Sequence, residues 1–487
     1  MRKKMVLFTG AILSLGISMN YGCQFGVTPG GSQDIGLARD LIANGQIPLI
    51  EHFTVEGVFS EHDLPFREQS CGQTLCPRYG VAMYSPLESD DQELLVQVGF
   101  TTNISAENFQ RRPLNLSLVV DISASMEGEK LALMKQALLT LSNQLKPWDR
   151  VSLVSFNSNA ELQMEAQYMN DGNLTKLRNK ILNLNARSGT NIEMGMKIGY
   201  ADLYRQAELD ETENRLMLFT DANPNIGNTS TGSFLNLART YGYSGIGLSI
   251  FGVGLDLGSK LASEVSKTRG GNSFYLGDEE SIAQILDDEF DYIVSPIGYD
   301  FEVNVQLTPE VALSEIYGST HDAGMDGFSF GASTLFLSKR NGGLGVTLQG
   351  VELPIEQLDP KFVSIDLRYK TLDLEPHEEL IYVQRNNMDL YENEFVHADS
   401  LGVFKMAHLI YEYEALKAAA EFCEHTRSEE EAIRVVELAK ERIGTAAEQL
   451  NDDNLAEEQF LMEQLIDNIY KGKAACAEDP YDPFLYY

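Results

Sequence analysis

Between residues 111 and 297, short and nearly continuous apolar segments alternate with stretches whose apolar residues recur at helical spacing. Leu114–Val120, Val151–Phe156, Leu216–Phe219 and Gly247–Val253 have strand length and are apolar on both sides. Between them, Leu131, Met134, Leu138, Leu141 and Leu145 share one helical face, which Pro147 ends. Residues 174–184, 192–204, 235–241, 260–267 and 282–293 read as further helices. Strands apolar on both faces need a sheet covered on both faces, and strands separated by helices run parallel. The expected fold class is α/β, a doubly wound and mostly parallel sheet.

In such a sheet, ligands collect beyond the carboxyl ends of the strands, where the strand order reverses. Oxygen-bearing side chains stand at those ends here. Asp121-Ile-Ser123-Ala-Ser125 follows the run Leu114–Val120, with every other residue pointing one way. Gly189-Thr190-Asn-Ile192 opens a helix after a polar turn, and Phe219-Thr-Asp221 closes another apolar strand. One set of carboxylates and hydroxyls is a set of hard ligands for a hard divalent cation. Helices begin directly after Ser125 and Thr190, and their positive ends favour a cation that is bridged to an incoming carboxylate over a cation alone.

These motifs carry a resemblance to the von Willebrand factor type A domain with a metal-ion-dependent adhesion site. It covers about residues 111–297, and all five motif positions are present: Asp121, Ser123, Ser125, Thr190 and Asp221. The resemblance implies that Ser123, Ser125 and sometimes Thr190 meet the metal through neutral hydroxyls, with Asp121 and Asp221 often acting through water. It implies Mg²⁺, with Ca²⁺ or Mn²⁺ as alternatives, and a partner protein that presents Asp or Glu. Many members have Thr-Asp-Gly where this chain has Thr220-Asp221-Ala222. Alanine lacks glycine's freedom at positive φ, so the turn after Asp221 is expected to differ.

At 487 residues the chain is too long for one core, and about three domains are expected. Arg2-Lys3-Lys4 followed by an apolar stretch to Met19 reads as a signal peptide over 1–22. Cys23 after Gly22 looks like a bacterial lipoprotein site, although Asn20 departs from the usual aliphatic residue; secretion with a different cut is the competing reading. An N-terminal segment with a tether and strands follows at 23–110, with 24–34 as the tether and a half-buried strand at 92–101. After the α/β domain, alternating apolar residues and Asn-Gly-Gly and Pro turns read as a β-sandwich over 298–400, which the strand at 94–100 could join. A helical bundle is expected over 401–476, with helices near 403–423, 428–449 and 454–471, and a tail over 477–487. With Cys23 set aside, four cysteines remain. Cys71 and Cys76 suit a local disulfide, and Cys423 and Cys476 lie at the same end of an up-down-up bundle, suited to a second.

The net charge of −35, from 72 acidic against 37 basic residues, argues against a nucleic-acid partner. Gly252-Val-Gly-Leu-Asp-Leu-Gly258 has the wrong spacing for a dinucleotide loop, and His377-Glu-Glu-Leu lacks the second histidine of a zinc protease motif. The expected function is non-enzymatic: an exported cell-envelope protein, attached to the membrane by a lipid anchor only, that binds an acidic partner through a divalent cation. The alternatives are a metal-dependent hydrolase, for which no general base or nucleophile is identifiable, and a subunit of an ATPase assembly, which a signal peptide disfavours. The sequence leaves the oligomeric state open.

Overall fold

A computed structural model of the chain describes residues 24–477, apart from 90, 106–108, 207–211, 222–230, 255–264, 266–267, 310, 319–321, 325–326, 351–362 and 385–388. Cys23, the expected signal peptide, the tail beyond 477 and most of the helix expected at 260–267 lie outside the described residues.

The N-terminal segment is built into the fold. Residues 24–29, expected as tether, form strand β1 (Gln24–Pro29), which pairs with strands on both of its edges. Phe25 and Val27 alternate into the core, and that burial outweighs the glycines that suggested a linker. Two short helices, α1 (Gly36–Ala43) and α2 (Val55–Ser60), follow, then strands β2 (Cys76–Tyr84) and β3 (Glu93–Ser105).

The α/β unit comprises β4 (Leu114–Asp121), α3 (Glu129–Gln144), β5 (Arg150–Phe156), β6 (Ala160–Tyr168), α4 (Asp171–Leu182), α5 (Ile192–Gln206), β7 (Glu213–Thr220), α6 (Thr231–Tyr243), β8 (Ile246–Val253) and β9 (Gly271–Leu276). The sheet order is β6-β5-β4-β7-β8-β9, parallel except for β6 at one edge. Leu116, Leu118 and Val120 of β4 face a core shared with Met134, Leu138 and Leu141 of α3, while Val119 faces a second core with Met196 and Tyr200 of α5. The period-2 split of one strand between two cores is what a doubly wound sheet requires. Strands β6 and β9 were not anticipated. Glu161 and Glu165 break up the apolar signal of β6, which suits its place at an exposed edge.

The remaining strands are β10 (Pro296–Leu307), β11 (Val311–Tyr317), β12 (Asp322–Gly324), β13 (Gly327–Ser338), β14 (Leu344–Gly350), β15 (Val363–Lys370), β16 (Pro376–Val383), β17 (Tyr391–Glu392) and β18 (Val396–Ala398). With β1, β2 and β3 they form one antiparallel network of 12 strands, so the expected sandwich draws on both sides of the α/β unit in sequence. Strands β10 and β3 are separated by β13 and β1 in hydrogen-bonding order, about 14 Å in a flat sheet. Yet the rings of Phe100 on β3 and Phe301 on β10 lie 4.6 Å apart between centroids. The network therefore curls around one apolar core.

Three helices, Leu401–Cys423, Glu429–Leu450 and Asp453–Ile469, form the bundle. Ser428 and Glu431 make a capping box on the second helix, and Asp452 caps the third, so each start is set by local sequence. Both expected disulfides are present, Cys71–Cys76 and Cys423–Cys476. No described helix is long and apolar enough to cross a membrane.

Two tests follow from the bundle. Replacing Cys423 and Cys476 with serine opens a closure spanning 53 residues, and urea unfolding should register a loss of up to about 4 kcal/mol, absent when the wild type is measured in reductant. His408 is fully buried, and burial, aided by the charge of Arg442, pushes its imidazole down to about 4. The folded state therefore holds it neutral, a contribution fully present above pH 6.5 and lost as pH falls through 4. His408→Gln should remove about 1.4 kcal/mol per pH unit of acid sensitivity within that window.

Candidate metal centre

Strands β4 and β7 are parallel neighbours at the point where the chain switches from building one half of the sheet to building the other. Their register pairs Val120 with Phe219, so Asp121 and the residues after Phe219 emerge side by side at the carboxyl end. The resulting cluster is continuous. Asp121 Oδ2 accepts from Thr220 Oγ1 at 2.6 Å, and Asp121 Oδ1 accepts from the backbone N–H of Ser123 at 2.8 Å. The hydroxyls of Ser123 and Ser125 lie 2.9 Å apart, and Ser125 Oγ donates to Asp221 Oδ1 at 2.9 Å. Asp121, Ser123 and Asp221 are buried, whereas Ser125 is exposed, so the cluster opens to solvent at the second serine. Burial pushes the Asp121 carboxyl up to about 6, against the opposing hydrogen bonds from Thr220 and Ser123.

Thr190 reaches the same end of the sheet by another route. It is half-buried in the turn before α5, where Asn191 accepts from the N–H of Met194 at 3.0 Å and caps the helix. The turn is pinned by Arg187 N–H donating to Ile122 O at 2.7 Å. Gly189 has φ +81°, and a Cβ there would lie 1.9 Å from Ser158 Oγ, so glycine is needed directly before Thr190. Gly199 lets α5 lie close on the sheet, since a Cβ there would meet Val119 Cγ2 at 2.7 Å. Among the described residues, no hydrogen bond joins Thr190 Oγ1 to the other four side chains. Ala222, the departure from the family pattern, lies outside the described residues.

Two participants were missed in the sequence. Thr220 orients Asp121, as above. Lys130 Nζ, on the first turn of α3, donates to Asp221 Oδ2 at 2.8 Å. The signal that could have found it is Gly128, whose φ of +87° turns the chain between Ser125 and α3. Gly254 at φ +82° lies beside the lysine stem, and a Cβ there would meet Lys130 Cε at 2.9 Å. That gives part of the discarded glycine-rich motif a packing role. His377 stacks on Tyr369 of the neighbouring strand, with ring centroids 5.1 Å apart.

The donor set suits a divalent cation. Two carboxylates and two hydroxyls already converge, and an ammonium sits on one of the carboxylates as cationic partner. A doubly wound sheet with such a cluster at its switch point defines a class of α/β binding domain. The comparison with known families specifies it: residues 115–288 match the von Willebrand factor type A domain, and this part of the chain is such a domain. Inter-alpha-trypsin inhibitor heavy chain 4 of Mus musculus is 25% identical over 203 residues, 41% of this chain and 22% of that protein. The uncharacterized protein sll0103 of Synechocystis sp. is 33% identical over 126 residues, 26% of this chain and 29% of that one. The chain thus spans about a quarter of the length of these relatives. Among solved structures, a von Willebrand factor type A protein from Catenulispora acidiphila aligns with TM-score 0.49 and 12% identity, covering 82% of this chain and 98% of that one. Domains of this family typically act in protein–protein interaction and typically bind a divalent metal at the adhesion site.

Lys130→Met should leave the buried Asp221 carboxylate without its ammonium. In chelator, urea unfolding is expected to show a loss of about 1–3 kcal/mol. Saturating Mg²⁺ should recover more stability in the variant than in the wild type, because cation and ammonium compete for one carboxylate.

Proposed function

We propose that the chain is an exported, non-enzymatic cell-envelope protein whose type A domain binds an acidic residue of a partner protein through a divalent cation. Asp121, Ser123, Ser125, Thr190 and Asp221 would hold the cation, Mg²⁺ being preferred because it tolerates partial protein ligation. When bound, it supplies an electrophilic position for an outside carboxylate. The carrying observation is the unbroken hydrogen-bonded run Thr220–Asp121–Ser123–Ser125–Asp221 at the sheet's switch point.

Further support comes from charge. Beside the centre, a cavity of about 510 Å³ is lined by Ile122, Lys176, Lys180 and Arg187 among others. A cationic rim on a chain of net charge −35 favours approach by an acidic surface. Binding is preferred over catalysis because the carboxylates that could serve as general bases are committed, Asp121 to Thr220 and Ser123, and Asp221 to Ser125 and Lys130. The two disulfides favour an oxidising compartment. Lipidation at Cys23 would supply the anchor; mass spectrometry of the mature N-terminus tests it.

Capture of a partner from envelope extracts should require Mg²⁺ and fail in chelator. Asp121→Ala should abolish that capture with the circular dichroism spectrum unchanged. Lys176→Glu with Lys180→Glu should slow association about tenfold at low salt and flatten its salt dependence. Capture that survives both chelation and Asp121→Ala would overturn the proposal.

A further inference from the structure

A second polar cluster lies far from Asp121 in sequence and is more deeply buried. His62 follows α2, Glu412 sits midway along the first bundle helix, and Glu458 sits on the third. Their exposures are 1%, 0% and 2%. One ligand atom from each lies within 4.8 Å of those of the other two. Ligand atoms around one tetrahedral zinc ion stand about 3.4 Å apart, so side-chain shifts of about an ångström would bring the three onto a common centre.

The hydrogen bonds around the cluster are incomplete in a telling way. His62 Nε2 lies 2.9 Å from Glu458 Oε1, and Arg39 Nη2 donates to the same oxygen at 2.7 Å. Arg39 also pairs with Glu61. Nδ1 of His62 is buried without a hydrogen-bond partner, and the oxygens of Glu412 and Oε2 of Glu458 are buried with no partner beyond each other's carboxyl group. An unmet atom of this kind costs about 1–3 kcal/mol, and an unpartnered imidazole nitrogen beside two buried carboxyls that face only each other calls for a ligand. The charges point the same way. Glu61, Glu412 and Glu458 face the single guanidinium of Arg39, an excess of two negative charges when all are ionised.

We propose that His62, Glu412 and Glu458 bind a divalent transition-metal cation, zinc by preference, at a site separate from the Asp121 centre. An imidazole with two carboxylates suits zinc, whereas Mg²⁺ and Ca²⁺ take all-oxygen shells. His62 and Glu458 also line a cavity of about 510 Å³ shared with Arg39, Asp34 and Tyr275, which provides an entry path. The bound ion joins the N-terminal segment to two helices of the bundle and stabilises that junction.

The test uses the full chain carrying Asp121→Ala, which empties the first centre. After chelation and re-equilibration with zinc, elemental analysis should find one equivalent of zinc per chain, with a zinc-dependent rise in melting temperature. Adding Glu412→Gln, nearly isosteric and neutral, should weaken zinc binding on the order of 100-fold. His62→Gln should do the same, and it keeps the test decisive if the glutamine variant folds poorly. The proposal is overturned if Asp121→Ala retains no zinc. It is equally overturned if both double variants retain a full equivalent, or if Glu412→Gln raises stability regardless of zinc.

Discussion

The parallel pairing of β4 with β7 is the constraint on which the candidate centre depends. It sets residues about a hundred positions apart on adjoining strand ends and delivers Asp121 and Asp221 to one crevice. Nothing local in either segment could do this. Asp121 is fully buried, and its carboxylate would be costly there but for the hydroxyl of Thr220 and the N–H of Ser123. The strand pairing thus supplies the donors that make the site tolerable, and the site's hydrogen bonds in turn fasten the ends of the two central strands.

Much of this was legible because the signals are periodic. Leu114, Leu116, Leu118 and Val120 all face the core shared with α3, and the α3 face of Met134, Leu138 and Leu141 is buried as its spacing predicts. The bundle boundaries were readable from Ser428, Glu431 and Asp452, which act within a single turn. The meeting of oxygen-bearing side chains at the strand ends was readable because a doubly wound sheet has one crevice beyond them. Two strands were missed: β6 alternates Ala160, Leu162, Met164, Ala166 and Tyr168 with Glu and Gln but carries no continuous apolar run, and β1 was hidden by the glycines and polar residues of 24–34. The roles of Lys130 and Thr220 were missed because they depend on partners that only the tertiary fold supplies.

The N-terminal segment matters more than a tether would. Strand β1 joins the antiparallel network, Ser32 bridges to Ser273 on β9, and Ile47 bridges to Cys476 after the last bundle helix. Leu37 and Leu41 of α1 pack with Tyr275 and Ala477. One stretch of about forty residues therefore touches all three other units. Buried charge gathers along the same stretch: Arg39, Glu61 and His62 meet Glu458 beside the apolar core that α1 and α2 share with the bundle. A cation at that junction would neutralise groups that apolar packing alone cannot accommodate.

The way the α/β domain is attached bears on how it can meet a partner. Arg111, just before β4, is buried and binds Asp149 at 2.6 Å and Asp291 at 2.5 Å. Asp149 precedes β5 and also accepts from Leu114 N–H at 3.0 Å, so this knot lies at the amino ends of the central strands. Chain entry and chain exit are thus locked together at the end of the sheet opposite Asp121. At the carboxyl end, the N-terminal segment approaches through Asp34 and Asp40, which bond Tyr275 on β9. Strand β9 is three strands from β4, about 14 Å across the sheet. The cationic rim near Ser125 is lined from β5, β6 and α4, on the other side of β4 from that attachment, and this separation leaves room for a docking partner.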